Sequence, residues 1–272
     1  MKARYSRRRS DGSIEYFESW QEMLASGAAM RDTSLECAKM ACKKETEAKY
    51  AALIQAHDLL VGGLYIYYTH IRQKRRSQAM IAEELLSAAF ITGISECMRS
   101  TVEGMYVQAM TLIRQEVETL AHIEKTSSED YPELLKKHIS EPNRKFVKNV
   151  KNMKNLRVGS LREKYDYFSK IAHSADIDAL GNIFGEIVAK ADGQSDKVIH
   201  HIPIFRTDIA KLCLSCHMLS VIHFCCLKRE KDDSLVESSD PLFGIHDSMV
   251  KAIEHALSAL VEAGCVEIES GG

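Results

Sequence analysis

Proline occurs only four times in 272 residues, and the long stretches between prolines are rich in Ala, Leu, Glu, Lys and Met. A proline inside a helix removes a hydrogen bond and clashes with the preceding turn, at about 3 kcal/mol, so a chain that avoids it over such lengths is free to build long helices. A many-stranded fold needs frequent turn residues, and these are scarce here. The expectation is a mainly α protein, a helical bundle, with 45% hydrophobic residues to fill one full core.

Apolar spacing places the helices. Residues 34–57 read as one helix, and 58–70 either continue it or begin again near Gly62 and Gly63. Between 77 and 123 a second helical stretch carries Ile81, Leu85, Ala88 and Ala89, then Met98, Val102, Met105, Ala109 and Leu112, at steps of three and four, with Gly93 and Gly104 as points that bend or divide it. Residues 126–132 combine cap-forming side chains with Pro132 and read as a break. Thr207 or Asp208 caps a helix through Ile209, Leu212, Cys216, Leu219, His223 and Leu227, and a last helix ends at Ala263 before Gly264. The one strand signal is a hairpin of 186–190 with 197–205 around the Asp192-Gly193 turn pair. The organisation expected is a basic N-terminal arm, 1–20, read as a mobile tail bearing Arg4, Arg7, Arg8 and Arg9, followed by a single helical domain, 21–272.

A net charge of -2 supplies no overall attraction to nucleic acid or anionic lipid, so such a partner must be met by a local patch. The basic N-terminus is not followed by a sustained apolar segment, and the run 59–68 falls well short of the roughly 20 residues a spanning helix needs. The expectation is a cytoplasmic protein without a membrane partner. The eight cysteines sit mostly in apolar helical contexts, where a thiol acts as a small core residue. Cys213-Leu214-Ser215-Cys216-His217 matches the haem-attachment pattern but falls within an amphipathic helix. Cys213, Cys216, His217 and His223 are zinc-type donors without a second CxxC pair at a ribbon or finger spacing. The expectation is no haem, no stoichiometric zinc and no other cofactor.

Two segments carry the candidate chemistry. Residues 136–164 hold seven Lys and three Arg against Glu141 and Glu163, a local balance of +8. Phe146, Val150 and Met153 give that stretch a core face, and Lys145, Lys148, Lys151 and Lys154 with Asn149, Asn152 and Asn155 occupy the rest. This is either solvated surface or a phosphate-binding face without the aromatic platforms of a single-strand reader. Next, with Ser160 as N-cap, Arg162, Tyr165, Ser169 and His173 follow at steps of three, four and four, so a helix over 161–178 aligns them on one stripe. His173 has the side chain of a general base and Arg162 that of a charge stabiliser, but a helical histidine also serves as a plain hydrogen-bonding partner. Arg99, Glu103, Arg114 and Glu118 form a possible facing row, since charges in an apolar helix need partners.

Arg99-Ser100-Thr101-Val102-Glu103, followed by Tyr165-x-x-x-Ser169-x-x-x-His173-Ser174, resembles a group of bacterial helical proteins related to the HEPN superfamily, over about residues 87–174. The resemblance implies a helical core over about 77–180, a dimer, and polar residues of two helices meeting around His173. It also implies nucleotide-binding or RNA-cleaving relatives in toxin and antiphage systems. The nucleases of that superfamily separate Arg from His by four to six residues, whereas ten residues lie between Arg162 and His173 here. Two readings stay open. One is a non-catalytic HEPN-like module binding a nucleotide, RNA or protein partner through Arg99, Glu103, Tyr165, Ser169, Lys148, Lys151 and Lys154, in bacterial defence or a stress response. The other is a metal-independent, toxin-like ribonuclease using His173 and Arg162.

Overall fold

The structure, a computed structural model, describes residues 5–9, 11–71, 78–125, 159–173, 176–189, 194–232 and 243–266. Strands β1 (Tyr5–Arg8) and β2 (Ile14–Phe17) open the chain. Helices α1 (Trp20–Ile71), α2 (Gln78–Val102), α3 (Tyr106–Lys125), α4 (Gly159–Ala172) and α5 (Ile177–Phe184) follow. Strands β3 (Gly185–Ala189) and β4 (Ser195–Ile199) then lead to α6 (Thr207–Asp232) and α7 (Phe243–Glu262). The mainly α expectation holds, with two small antiparallel sheets, β1–β2 and β3–β4, among the described residues. The expected Lys148, Lys151 and Lys154 face, the break at 126–132 and the Asp192-Gly193 turn lie outside those residues.

The bundle is organised around α6, whose residues from Cys213 to Cys225 are all buried, which is why apolar residues occur around its whole circumference and its few polar ones need partners. It packs against α1, α2, α3, α4 and α7. Over Thr207–Lys228 it is long and apolar enough to cross a membrane, and most of that length is buried inside the bundle, as in any central core helix. Phe90 of α2 stacks on Phe224 of α6 with ring centroids 4.4 Å apart, and neither ring is exposed.

Glycine divides the 77–123 stretch at one of the two expected places. Gly104 takes a φ of +75°. Its N–H donates to the Thr101 carbonyl and that of Met105 to the Ser100 carbonyl, which satisfies the last carbonyls of α2 in a Schellman turn. Gly264, at φ +62°, closes α7 in the same way, with its own N–H on Val261 and that of Cys265 on Leu260. Gly93 leaves α2 continuous.

Three expectations on local structure are corrected. α1 begins at Trp20 rather than 34 and kinks at Tyr50, whose φ and ψ are -123° and 28°; of the two alternatives at Gly62 and Gly63 it takes the continuous one. There the buried Tyr50 phenol donates to the Thr207 carbonyl at 3.0 Å, a tertiary anchor at the root of α6. The N-terminal arm is a hairpin docked on α1, so the described residues hold two hairpins where the sequence suggested one. Arg7 stands opposite Glu15 in the register and binds its Oε2 at 2.9 and 2.7 Å, Arg9 binds Oε1 at 2.8 Å, and Phe17 is buried. The third correction concerns the C-terminal hairpin, which pairs 185–189 with 195–199, so its second strand ends six residues before the expected 205: after His200 the chain leaves the sheet through Pro203, and the Arg206 N–H donates to the buried Tyr106 hydroxyl at 3.1 Å.

Candidate functional site

Helix α4 presents Leu161, Phe168 and Ile171 to the core, and this sets the direction of its polar residues. Tyr165, half-buried beside that face, donates to Glu118 Oε1 at 2.6 Å, and Arg114 of α3 donates to the same oxygen at 2.9 Å. Burial, and then the bond to the Glu118 carboxylate, raise the Tyr165 phenol above its ordinary pKa. Of the expected facing row, Arg114 and Glu118 thus meet the stripe, through Tyr165. Arg99 is exposed and pairs with Glu96 at 2.5 Å, while Glu103 lies 3.8 Å from Lys39. Ser169 is half-buried, and its carbonyl accepts from the His173 N–H at 3.1 Å.

The stripe does not run the expected length. α4 ends at Ala172, so His173 occupies the turn beyond the helix with its side chain in solvent. Ser160, expected as the N-cap, lies inside the first turn. Arg162 has a place on α4, but its side chain lies outside the described residues.

The densest chemistry lies elsewhere, where α1, α2, α3 and α6 meet. His57 of α1 and His217 of α6 face each other with their Nε2 atoms 3.1 Å apart. The Nδ1 of His57 reaches Asp58 Oδ1 at 3.2 Å, and the Nδ1 of His217 reaches Glu116 of α3, at 3.0 Å from Oε2 and 2.9 Å from Oε1. The hydrogen bond is formed with Oε2, and Glu116 Oε1, though buried and close to the same nitrogen, takes part in no hydrogen bond of proper geometry. Cys97 of α2 completes the group: one ligand-type atom from each of Cys97, Glu116 and His217 lies within 4.8 Å of the other two. All three residues are buried.

Burial, and then the adjacent His217, hold the His57 imidazole down at about 4, so this ring is neutral near pH 7. Burial followed by the Glu116 charge pushes the Cys97 thiol well above its ordinary range. The two thiols of the expected zinc-donor set are also buried, Cys213 pushed well up and Cys216 up to about 12, chiefly by burial. Farther along α6, His223 meets Glu124 at 2.8 Å and Lys228 meets Glu83. Three basic residues of the central helix are therefore each matched to a carboxylate from α2 or α3, as a buried charge requires.

In the sequence His217 and His223 stand in a zinc-type donor set with Cys213 and Cys216, and His57, Cys97, Glu116 and Glu124 were missed as members of a cluster. A signal existed: Glu116 lies beside Val117 in the Ile113 to Leu120 core spacing of α3, and His57 follows Ala56 in the Leu53 to Leu60 spacing of α1. A polar residue at a core position of a helix needs a partner. The partners lie 101 and 160 residues away along the chain, beyond any local pattern. No family model, curated protein or solved structure matches the chain, so no relative bears on the HEPN resemblance.

Proposed function

We propose that the protein is a non-catalytic helical module, HEPN-like in its architecture, that binds a polyanion of the RNA or nucleotide class through its basic segment 136–164. The observation that carries this reading is charge segregation: +8 is concentrated there in a chain of net -2. Concentrated cationic charge binds phosphates by releasing their counterions, with little dependence on base sequence. The segment runs into α4, which packs against α3 through the Tyr165, Glu118 and Arg114 link. The non-catalytic part of the reading rests on dispersal. Tyr165 is committed to Glu118, Arg99 to Glu96, and His173 stands in solvent beyond the helix end.

Changing Lys148, Lys151 and Lys154 together to Gln tests it. RNA affinity should fall similarly for unrelated sequences, and the slope of log affinity against log salt should flatten by about 2 to 3, close to one counterion term per lost contact. Unchanged affinity and slope would reassign the segment to solvated surface. The ribonuclease alternative keeps one observation in its favour, the accessibility of His173. Loss of RNA cleavage in both His173→Ala and Arg162→Ala, at an unchanged melting temperature, would replace the binding reading with it.

A further inference from the structure

We propose that Cys97 Sγ, a carboxylate oxygen of Glu116 and Nδ1 of His217 form a buried binding site for one thiophilic divalent transition metal, zinc foremost. The site is independent of what the basic segment binds. Thiolate, imidazole and carboxylate are the three donor types that zinc accepts, and here each comes from a different helix, α2, α3 and α6. The present spacing, within 4.8 Å, is close to the roughly 3.3 to 3.6 Å that separates ligand atoms around a tetrahedral zinc. Modest side-chain adjustment closes the difference.

A second observation points the same way. Glu116 Oε1 is a buried carboxylate oxygen that forms no hydrogen bond of proper geometry, although His217 Nδ1 lies 2.9 Å from it and the Cys97 thiol bonds to the same carboxylate group. A buried acceptor left without a well-formed hydrogen bond is costly, and a cation is the partner that would satisfy it. Charge also balances. Metal entry displaces the thiol proton of Cys97 and the proton between His217 and Glu116, so two protons leave as one dication arrives, and the ion with one thiolate and one carboxylate is neutral overall. Neutrality matters in a site whose residues are all buried.

The surroundings also suit metal ligation. With Nδ1 on the metal, the Nε2–H of His217 is free to donate to His57 Nε2 at 3.1 Å, and the opposite nitrogen of His57 reaches Asp58. A ligating histidine that donates its second N–H in this way is held in one tautomer and one orientation. The sequence expectation was of no zinc in the protein, argued from the Cys213, Cys216, His217 and His223 set; the proposed site departs from that expectation and shares only His217 with that set.

The test uses the untagged, full-length, metal-stripped protein titrated with Co2+ and with Zn2+. The expected result is one equivalent per chain, a thiolate-to-cobalt charge-transfer band, and loss of that band in Cys97→Ser and Glu116→Gln, with Cys225→Ser, a buried cysteine outside the group, retaining it. X-ray absorption on the zinc-loaded wild type gives a readout that does not depend on any variant folding. It should show a single sulfur at about 2.3 Å with the remaining ligands nitrogen or oxygen. No band in a folded wild type, a band that survives Cys97→Ser, or a zinc shell with no sulfur or more than one sulfur would overturn the proposal.

Discussion

Two glycines of the α2–α3 region illustrate how a single residue's effect depends on its backbone and its neighbours. At Gly104 the φ is +75°, and a Cβ would stand 2.7 Å from the Sγ of buried Cys42 and 3.1 Å from its Cβ. Gly104→Ala should therefore destabilise by about 2 to 4 kcal/mol, adding a left-handed backbone penalty to overpacking. At Gly93, inside α2, a Cβ would meet nothing within 4 Å. Gly93→Ala should stabilise by about 0.5 to 1 kcal/mol, through helix propensity and a less disordered unfolded chain. Urea unfolding of both variants checks the pair, and the same sign for both would be inconsistent with this backbone account. Glu15 gives the residue-scale pH prediction. Its bonds to Arg9 and then Arg7 hold its carboxyl below the ordinary range, so it binds protons less readily folded than unfolded. Its contribution to hairpin docking is present above the ordinary carboxylate pKa and is lost as the pH falls through the depressed folded value. Amide exchange in β1 and β2 should rise over that acid interval, and Glu15→Gln should remove the dependence.

At the scale of elements, α6 and the β3–β4 hairpin are opposites. Phe224 of α6 is fully buried against Phe90, so Phe224→Ala removes a stacked aromatic from close-packed surroundings and should cost about 3 to 5 kcal/mol. Ile187 on β3 is 77% exposed, so Ile187→Ala should change stability by less than about 0.5 kcal/mol. Thermal or chemical unfolding of the two variants measures the contrast. A large loss at Ile187 would show that the hairpin is covered in solution. The ion pairs at Glu124–His223 and Glu83–Lys228 belong to this scale as well. They orient α6 against its neighbours, and removing Glu124 would take that carboxylate contact from the buried His223 imidazole.

For the whole molecule, α1 sets the unusual dimension: its 52 residues at 1.5 Å each amount to about 78 Å of helix, divided between two arms at the Tyr50 kink. From Cys42 onward its core face is buried, at Thr46, Tyr50, Leu53, Ala56, Leu60, Leu64 and Tyr67. Residues 28–34 are exposed on every side, so the first part of the helix projects beyond the bundle. Hydrogen exchange should be fast across 25–38, by local opening, and slow across 210–225, where exposure requires global unfolding. Equal protection of both segments would mean that the projecting arm is covered by a second copy of the chain, and sedimentation would then show a dimer.

The features legible in the sequence were those governed by neighbours along the chain. Scarce proline and periodic apolar residues announced the helices, Gly104 and Gly264 announced two of their ends, and Thr207 announced the start of α6, because propensity and capping act over one or two turns. The docked N-terminal hairpin was half legible: Asp11-Gly12 is a turn pair like Asp192-Gly193, but the Arg7–Glu15 pairing that stabilises the strands depends on their register. The kink at Tyr50 and the cluster of Cys97, Glu116, His217 and His57 were not legible. Each depends on groups more than a hundred residues apart, or on helices with no sequence adjacency, brought together when α1, α2, α3 and α6 bury their apolar faces. Burial then alters the chemistry of those same side chains, holding His57 neutral and the Cys97 thiol protonated, which no spacing along the chain specifies.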